Sequence, residues 1–204
     1  MQKSKLEIMK IETRKDAGFA LGAFILEFVQ SIVLALSVFV IIYLFVAQPN
    51  EVNGTSMVPN FQNKEYLLTD KLSYRFGEPQ RGDVVVFKAP PSEPCSEDEC
   101  EYIKRIIGLP GDRVKVMRGE VYVNGKKLDQ YFLPKDFSTQ PGAYSLEGVE
   151  KLVPTDHYLC FGDNRNHSRD GREFGPVVKE SIIGKAFFKY WPVKSLGLVP
   201  KVTL

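Results

Sequence analysis

One serine and one lysine are the residues of this chain whose types and surroundings could do chemistry together. Ser56 lies in a Ser-Met-Val-Pro tetrad, about ten residues after the end of a long apolar run. Lys104 follows about fifty residues later, inside the largely apolar stretch 102–107. A serine hydroxyl becomes a nucleophile when a base takes its proton, and lysine can be that base when burial lowers its pKa. The two residues are therefore candidates for a nucleophile and a general base.

The stretch around Lys104 predicts the apolar surroundings that a lysine base needs. Successive side chains of a strand point to opposite faces, so Lys104 should project between Tyr102 and Ile106. Arg105 should point to the other face together with Ile103. Taken alone, the pattern is more typical of a surface lysine whose stem lies on apolar neighbours, and a lone Ser-x-x-Pro is typical of a turn.

A third segment is dense in hydrogen-bonding groups. Residues 162–172 read Gly-Asp-Asn-Arg-Asn-His-Ser-Arg-Asp-Gly-Arg and follow directly on the apolar run 157–161. By composition alone, the segment is equally compatible with a functional site and with a solvated loop that forms Asx turns.

An uncharged run of about twenty residues, 28–47, predicts a membrane-spanning helix, because a helix of that length crosses the hydrocarbon core. A buried core helix is the alternative, but the length and the lack of a charged face argue against it. A cleaved signal peptide would have a shorter apolar region that ends in a small-x-small site. Here the one such triplet, residues 35–37, lies in the middle of the run. We therefore expect a single uncleaved anchor.

The basic residues predict how the anchor is oriented. Positive charge stays on the cytoplasmic side of a membrane. Segment 1–27 should therefore be cytoplasmic, and 48–204 should be an extracytoplasmic catalytic domain at the plasma membrane, although a thylakoid membrane fits the same topology. After the run, the next basic residue is Lys64, whereas five precede it: Lys3, Lys5, Lys10, Arg14 and Lys15.

Composition argues against several classes of protein. The formal net charge of only +2 gives no indication of the clustered basic face that nucleic-acid binding proteins have. The histidines, His157 and His167, share no ligand spacing with the cysteines, so we expect no metal and no cofactor. Outside the membrane, Cys95 and Cys100 could form a disulfide or remain free thiols, and Cys160 is typical of a buried strand residue.

The region after the anchor is predicted to be mostly β. Short apolar runs alternate with Gly- and Pro-rich turns, and Asn124-Gly125 is typical of a type I′ hairpin turn. Residues 134–154 lack a clear period and are predicted to be rich in loops. The predicted strands are 84–87, 120–123, 126–128, 157–161 and 182–190.

Four linked segments resemble the type I signal peptidases, in the order found in that family. The resemblance implies a mostly antiparallel β-sheet signal-peptidase fold with one N-terminal transmembrane helix. It also implies a serine endopeptidase that removes signal peptides from exported preproteins. The segments are Gly-Thr-Ser-Met-Val-Pro at 54–59, Arg-Gly-Asp-Val-Val-Val-Phe at 81–87, Tyr-Ile-Lys-Arg-Ile-Ile-Gly-Leu-Pro-Gly-Asp at 102–112, and Gly-Asp-Asn-Arg-Asn-x-Ser-x-Asp at 162–170.

The resemblance assigns roles to individual residues of the site. Ser56 would be the nucleophile and Lys104 the general base, forming a Ser/Lys dyad. The supporting roles would be orientation of the lysine amine by Ser168, and pairing of Asp170 with Arg105 and Arg172.

The resemblance also describes the substrate and the domain. Preproteins of this family carry small residues at −1 and −3 of the cleavage site, and Met57, Tyr102 and Ile103 match the positions that line the pockets. A smaller subdomain would be inserted at about 113–155, and the partners would be preproteins and membrane lipid. Some family members have an oxyanion-stabilising serine where this chain has Gly54, and Gly171 replaces a usual serine.

Three alternatives remain open from the residues. One is a Ser-His-Asp hydrolase that uses Ser56, His167 and Asp170. A second is a self-cleaving repressor with a Ser/Lys site, which would need a DNA-binding helical domain in place of the anchor. The third is a non-catalytic membrane-tethered binding protein on the same scaffold.

Overall fold

The computed structural model describes residues 2–94 and 100–202, with side chains from residue 22 onward. The chain divides into two compact units, Met1–Phe45 and Val46–Leu204. Cys95 lies outside the described residues, so its pairing with Cys100 stays an expectation.

The first unit is a single helix, α1 (Gln2–Phe45). It begins well before the predicted anchor, because residues 2–27 are rich in Lys, Glu, Leu and Ala, which favour helix. Its part Gly22–Phe45 has a mean hydropathy of 2.5 over 24 residues and is long and apolar enough to cross a membrane. The helix ends two residues before the predicted limit of the anchor, because Ala47 already begins a strand.

The second unit is built from short antiparallel strands with two one-turn helices, α2 (Ser73–Phe76) and α3 (Gly171–Phe174). The strands of the described residues are β1 (Ala47–Glu51), β2 (Tyr66–Asp70), β3 (Val84–Lys88), β4 (Glu101–Gly108), β5 (Arg113–Met117), β6 (Glu120–Val123), β7 (Lys126–Lys127), β8 (Lys151–Leu152), β9 (His157–Phe161), β10 (Val177–Val178), β11 (Ile182–Trp191) and β12 (Gly197–Leu198).

Eight of these strands form a large sheet in the order β1-β2-β11-β3-β4-β9-β10, with β12 paired to β11. Every described pairing in it is antiparallel. The remaining four strands form a small sheet in the order β7-β6-β5-β8. The mostly antiparallel β fold predicted from the sequence is confirmed.

The small sheet consists entirely of residues from the predicted insertion, 113–155. Its hairpin turn has φ values of 52° at Asn124 and 78° at Gly125. Both are positive, as a type I′ turn requires. Residues 134–154 contain only the two-residue strand β8 among otherwise irregular backbone, as predicted. Both sheets belong to the same compact unit.

The large sheet is strongly curled. Strands β1 and β4 are separated in it by three others, which in a flat sheet would place them about 19 Å apart. Yet the side chains of Asn50 in β1 and Glu101 in β4 are in contact, with Nδ2 and Oε2 2.6 Å apart. The curl therefore brings the two strands face to face across a cleft.

Candidate active site

The loop between β1 and β2 carries Ser56 at the edge of the cleft. Its neighbour Met57 is fully buried in the apolar core beneath the loop, together with Val52 and Phe61. The backbone of Gly54 has a φ of 98°, which favours glycine, and its N–H donates to Asn63 Oδ1 at 2.8 Å. One buried side chain and one positive φ thus hold the serine in place.

Asn164 fastens the serine loop to the segment after β9. Its backbone N–H donates to the carbonyl of Ser56 at 3.0 Å, and its side-chain Nδ2 donates to the carbonyl of Thr55 at 3.0 Å. The two hydrogen bonds fix the peptide groups on both sides of the Ser56 Cα. Asn164 therefore positions the serine without touching its hydroxyl.

Lys104 meets Ser56 directly. Lys104 Nζ lies 2.8 Å from Ser56 Oγ and 3.0 Å from the carbonyl of Ile103. The lysine is buried on the face of β4 that carries Tyr102 and Ile106, and Nζ lies 5.1 Å from the centre of the Tyr102 ring. The face predicted from strand alternation is confirmed.

Burial lowers the pKa of Lys104 to about 8, and the carboxylate of Asp170 only partly opposes this effect. A neutral amine is therefore accessible near physiological pH. The amine is within hydrogen-bonding distance of the serine hydroxyl, so the arrangement can transfer the serine proton to the lysine. This chemistry activates a serine nucleophile.

Ser168 lies next to Ser56 but forms no hydrogen bond with the lysine amine in this structure. Its Oγ is buried and has no hydrogen-bond partner among the described residues. The hydroxyl lies close to Gly162, where an added Cβ would also come within 2.5 Å of the Ser56 carbonyl oxygen. The expected orienting bond from Ser168 to Lys104 is therefore not formed here.

The predicted pairing of Asp170 with two arginines is only half present. Asp170 binds Arg172 through two hydrogen bonds of 2.8 Å, and both side chains are buried. Arg105 instead binds Asp163 through two hydrogen bonds of 2.8 and 2.6 Å. The reason is the register between β4 and β9, in which Arg105 lies opposite Phe161 and so meets the residue two positions later.

Arg165 joins the site to loop residues of the predicted insertion. This buried guanidinium donates to the carbonyl of Gly162 at 3.1 Å, to Thr139 Oγ1 at 2.7 Å and to Gln130 Oε1. Burial lowers its pKa to about 10. The insertion thus supports the segment that holds the dyad, although none of its residues lines the cleft.

The cleft itself has a volume of about 700 Å³ and runs between β1 and β4 past the dyad. Three residues were predicted to line substrate pockets, and two of them, Tyr102 and Ile103, line this cleft. Met57 is fully buried and lies beneath the cleft rather than in its wall. Its Sδ accepts a hydrogen bond from the backbone N–H of Asp163 at 3.5 Å, which gives it a structural contact.

His167 is not arranged as the base of a Ser-His-Asp triad. Its side chain lines the cleft, but within the described residues it makes no hydrogen bond to Ser56 or Asp170. The Asp170 carboxylate is fully buried and occupied by Arg172 and by the N–H of Gly162. The described part of the chain also contains no group of three His, Cys, Asp or Glu side chains that could hold a metal ion.

Three residues that support the site were not predicted to have a role in it. Asn164 and Asp163 belong to the polar segment after β9. Their position in this segment could have identified them as candidates for the site. Asn60 was not singled out at all, and its Nδ2 donates to Asp163 Oδ2 at 2.9 Å. Nothing in the residues around Asn60 indicates this contact, which joins the serine loop to Asp163.

Comparison with known proteins identifies relatives that cover most of the chain. The chain is 41% identical over 174 residues to the probable signal peptidase I-2 of Synechocystis sp., covering 85% of this chain and 77% of the relative. It is 33% identical over 179 residues to signal peptidase IB of Staphylococcus aureus, covering 82% and 90%. A crystal structure of a signal peptidase I from Enterococcus faecalis matches with a TM-score of 0.40 and 30% identity, covering 53% of this chain and 96% of that one.

A match to a whole family covers most of the chain. Residues 25–191 match the family described as signal peptidase, peptidase S26. They include the serine loop, strand β4 and the polar segment after β9. The chain therefore belongs to the type I signal peptidases of the peptidase S26 family.

Proposed function

We propose that this protein is a membrane-anchored endopeptidase that removes signal peptides from exported preproteins with a Ser56/Lys104 dyad. The observation that carries the proposal is the 2.8 Å contact between Lys104 Nζ and Ser56 Oγ, made by a buried lysine whose pKa is lowered to about 8. In this fold the serine has no other base beside it among the described residues.

The reaction proceeds through an acyl-enzyme. Ser56 Oγ attacks the carbonyl carbon of the scissile peptide while its proton passes to Lys104 Nζ. The protonated lysine then gives this proton to the leaving amine as the C–N bond breaks. A water molecule attacks the ester, its proton passing through Lys104, and the serine oxygen leaves and is protonated again.

The negative charge on the tetrahedral intermediate needs a hydrogen-bond donor. The backbone N–H of Ser56 is the first candidate, because it donates to no acceptor among the described residues. Gly54 offers no hydroxyl for the second position, so a backbone amide of the loop would have to serve there.

The cleft suits an extended peptide. Among the described residues, strand β1 pairs only with β2, and the first half of β4 pairs only with β3, since β9 pairs with β4 from Arg105 onward. Both strands therefore present an unpaired edge to the cleft. A substrate backbone can hydrogen-bond to such edges as an added strand.

We propose that the substrate carries small side chains at −1 and −3, and the apolar lining of the cleft supports this. Side chains of an extended peptide alternate, so these two positions face the same way. The residues that line the cleft include the apolar Leu67, Val86 and Ile103, which also pack in the core cluster beneath the serine loop. Large or charged side chains would clash there or lose their hydration.

We further propose that α1 anchors the protein in a plasma membrane, with the N-terminus in the cytoplasm. The apolar part Gly22–Phe45 supports a single span, and the basic residues before it support this orientation. The second unit, the predicted catalytic domain, would then lie on the extracytoplasmic side. Exported preproteins present their cleavage sites on that side.

The decisive experiment measures cleavage of a preprotein with an Ala-x-Ala site by the full-length protein in detergent. We expect the wild type to cut after the second alanine and Ser56→Ala to be inactive while unfolding at the same temperature. His167→Ala is the matched control and should remain active. Equal cleavage by wild type and Ser56→Ala would exclude Ser56 as the nucleophile, and loss of activity in His167→Ala would favour a Ser-His-Asp site.

A further inference from the structure

Three side chains join the two walls of the cleft at some distance from the dyad. Glu101, the first residue of β4, accepts hydrogen bonds across the cleft from Asn50 Nδ2 at 2.6 Å and from Gln48 Nε2 at 3.3 Å. Both donors belong to β1. We name this set of residues, Gln48, Asn50 and Glu101, the cross-cleft bridge.

The orientation of the bridge is set from within the sheet. Asn50 Oδ1 accepts a hydrogen bond of 2.8 Å from the hydroxyl of Thr69, a fully buried residue of β2. With its oxygen used in this way, the amide must present its N–H groups to Glu101. Gln48 lies two residues earlier in the strand and so projects from the same face. The bridge is thus supported by the core rather than by solvent-exposed contacts alone.

The position of the bridge relates it to the scissile bond. Glu101 precedes Lys104 by three residues in the same strand, which corresponds to about 10 Å. Asn50 likewise precedes Ser56 along the opposite wall. Between the bridge and the dyad, the cleft therefore has room for about three residues of an extended peptide.

The direction of the substrate follows from the proposed function, on which this inference rests. The apolar part of a signal peptide lies in the membrane, and α1 leads into β1 at Ala47. The upstream residues of the substrate should therefore enter at the beginning of β1 and run parallel to that strand toward Ser56. A peptide on this path meets the bridge before it reaches the dyad.

We propose that Glu101 is a specificity-determining residue that selects against acidic substrate residues about four or five positions upstream of the scissile bond. A passing peptide displaces the amides of Asn50 and Gln48 and leaves the Glu101 carboxylate facing it. A basic side chain at that point replaces the lost hydrogen bonds, a neutral one does so in part, and an acidic one repels the carboxylate. Discrimination thus includes an unfavourable contact with the wrong substrate.

The test is a charge scan of the substrate. Each test peptide has an Ala-x-Ala site and carries one Lys, Gln or Glu at a single position. That position is −6, −5, −4 or −2, because −3 is occupied by an alanine of the site. For the wild type we expect a preference for Lys over Glu of about five-fold in kcat/KM at −4 or −5, the size of an exposed ion-pair effect, expressed through KM. Glu101→Gln should reduce the preference to less than about two-fold, and Glu101→Lys should reverse it.

The control is Glu150→Gln, since this exposed carboxylate pairs with Arg113 in the small sheet, away from the cleft. It should retain the full preference for Lys. The proposal is overturned if Glu101→Gln keeps the preference of the wild type, or if the wild type shows none at any position. Cleavage of the glutamine peptides by the wild type distinguishes either result from a failure of the proposed function.

Discussion

A lysine amine is a poor base at neutral pH, because nearly all of it carries a proton at an ordinary pKa. Lys104 differs because it is buried on one face of β4, where the charged form loses its hydration. With a pKa of about 8, about a tenth of the amine is neutral at pH 7, far more than at an ordinary lysine pKa. The residue therefore needs no histidine to act as a base beside Ser56.

This pKa determines how activity should depend on pH. The neutral amine is the active form and exists above the pKa, so kcat/KM should rise as pH increases through about 8 and level off above it. Lys104→Arg should be inactive at every pH tested, because a guanidinium keeps its proton. Peptide cleavage from pH 6 to 10 checks both points. A rate that does not change over this range would contradict Lys104 as the base.

The unpartnered hydroxyl of Ser168 leads to a second prediction at this scale. We expect Ser168→Ala to leave the free energy of unfolding unchanged or slightly higher, because it removes a buried group without a partner. We also expect kcat to fall about ten- to hundred-fold, because the protonated Lys104 would lose a group that orients it during the reaction.

Chemical denaturation and peptide cleavage measure these two effects of Ser168→Ala separately. Ser181→Ala is the control, since this hydroxyl bonds only the carbonyl of Val178, in a turn outside the cleft. A Ser168→Ala variant that keeps full kcat would remove Ser168 from the mechanism.

At the scale of the elements, the dyad depends on how closely the end of β9 approaches the serine loop. Gly162 directly follows this strand, and its N–H donates to Asp170 at 2.8 Å. A Cβ at this position would come within 2.5 Å of both the carbonyl oxygen of Ser56 and the Cβ of Ser168. The glycine is required for this close approach, since its φ is not positive.

We therefore expect Gly162→Ala to lower kcat at least about a hundred-fold and to cost about 1–3 kcal/mol of unfolding free energy. Gly148→Ala is the matched control, because its surroundings are open while its φ of 70° is unfavourable for alanine. This control should lose about 1 kcal/mol and keep its activity. Equal activity of the two variants would contradict the close-approach argument.

Individual strands and turns were largely predictable from the sequence, whereas the contacts between residues of different strands were not. Local signals sufficed for the hairpin at Asn124-Gly125 and for the buried strand at 84–87, since turn chemistry and apolar runs act over a few residues. The pairing of Arg105 with Asp163 depends on the register of two strands far apart in the chain. Sequence alone does not contain that register, and the assignment of Arg105 to Asp170 was wrong for this reason.

At the scale of the whole molecule, the apolar helix α1 and the candidate active site are consecutive in the chain. Helix α1 is followed by β1, which forms one wall of the cleft, and then by the loop that carries Ser56. Holding an enzyme on the surface where its substrates emerge raises their effective concentration. The proposed anchor would therefore increase the rate of processing without adding contacts to the substrate.

The proposed orientation leads to a prediction for the full chain in a bacterial host. A C-terminal alkaline phosphatase fusion should be active, and a C-terminal green fluorescent protein fusion should be dark, because the domain is exported. Replacing the five basic residues before the span with glutamine should lower phosphatase activity several-fold as part of the population inverts. A control that replaces Lys64 and Lys71 should not change it. An inactive phosphatase fusion of the wild type would contradict the orientation.

The sequence by itself determined the apolar span, the mostly β character of the second unit, the face of β4 on which Lys104 lies and the four segments typical of the family. These properties depend on residue types and short spacings. Tertiary structure alone decided that Lys104 reaches Ser56, that Arg105 meets Asp163 and that Glu101 bridges to Asn50. Each of these contacts joins residues about fifty positions apart, and only the curl and register of the large sheet bring them together.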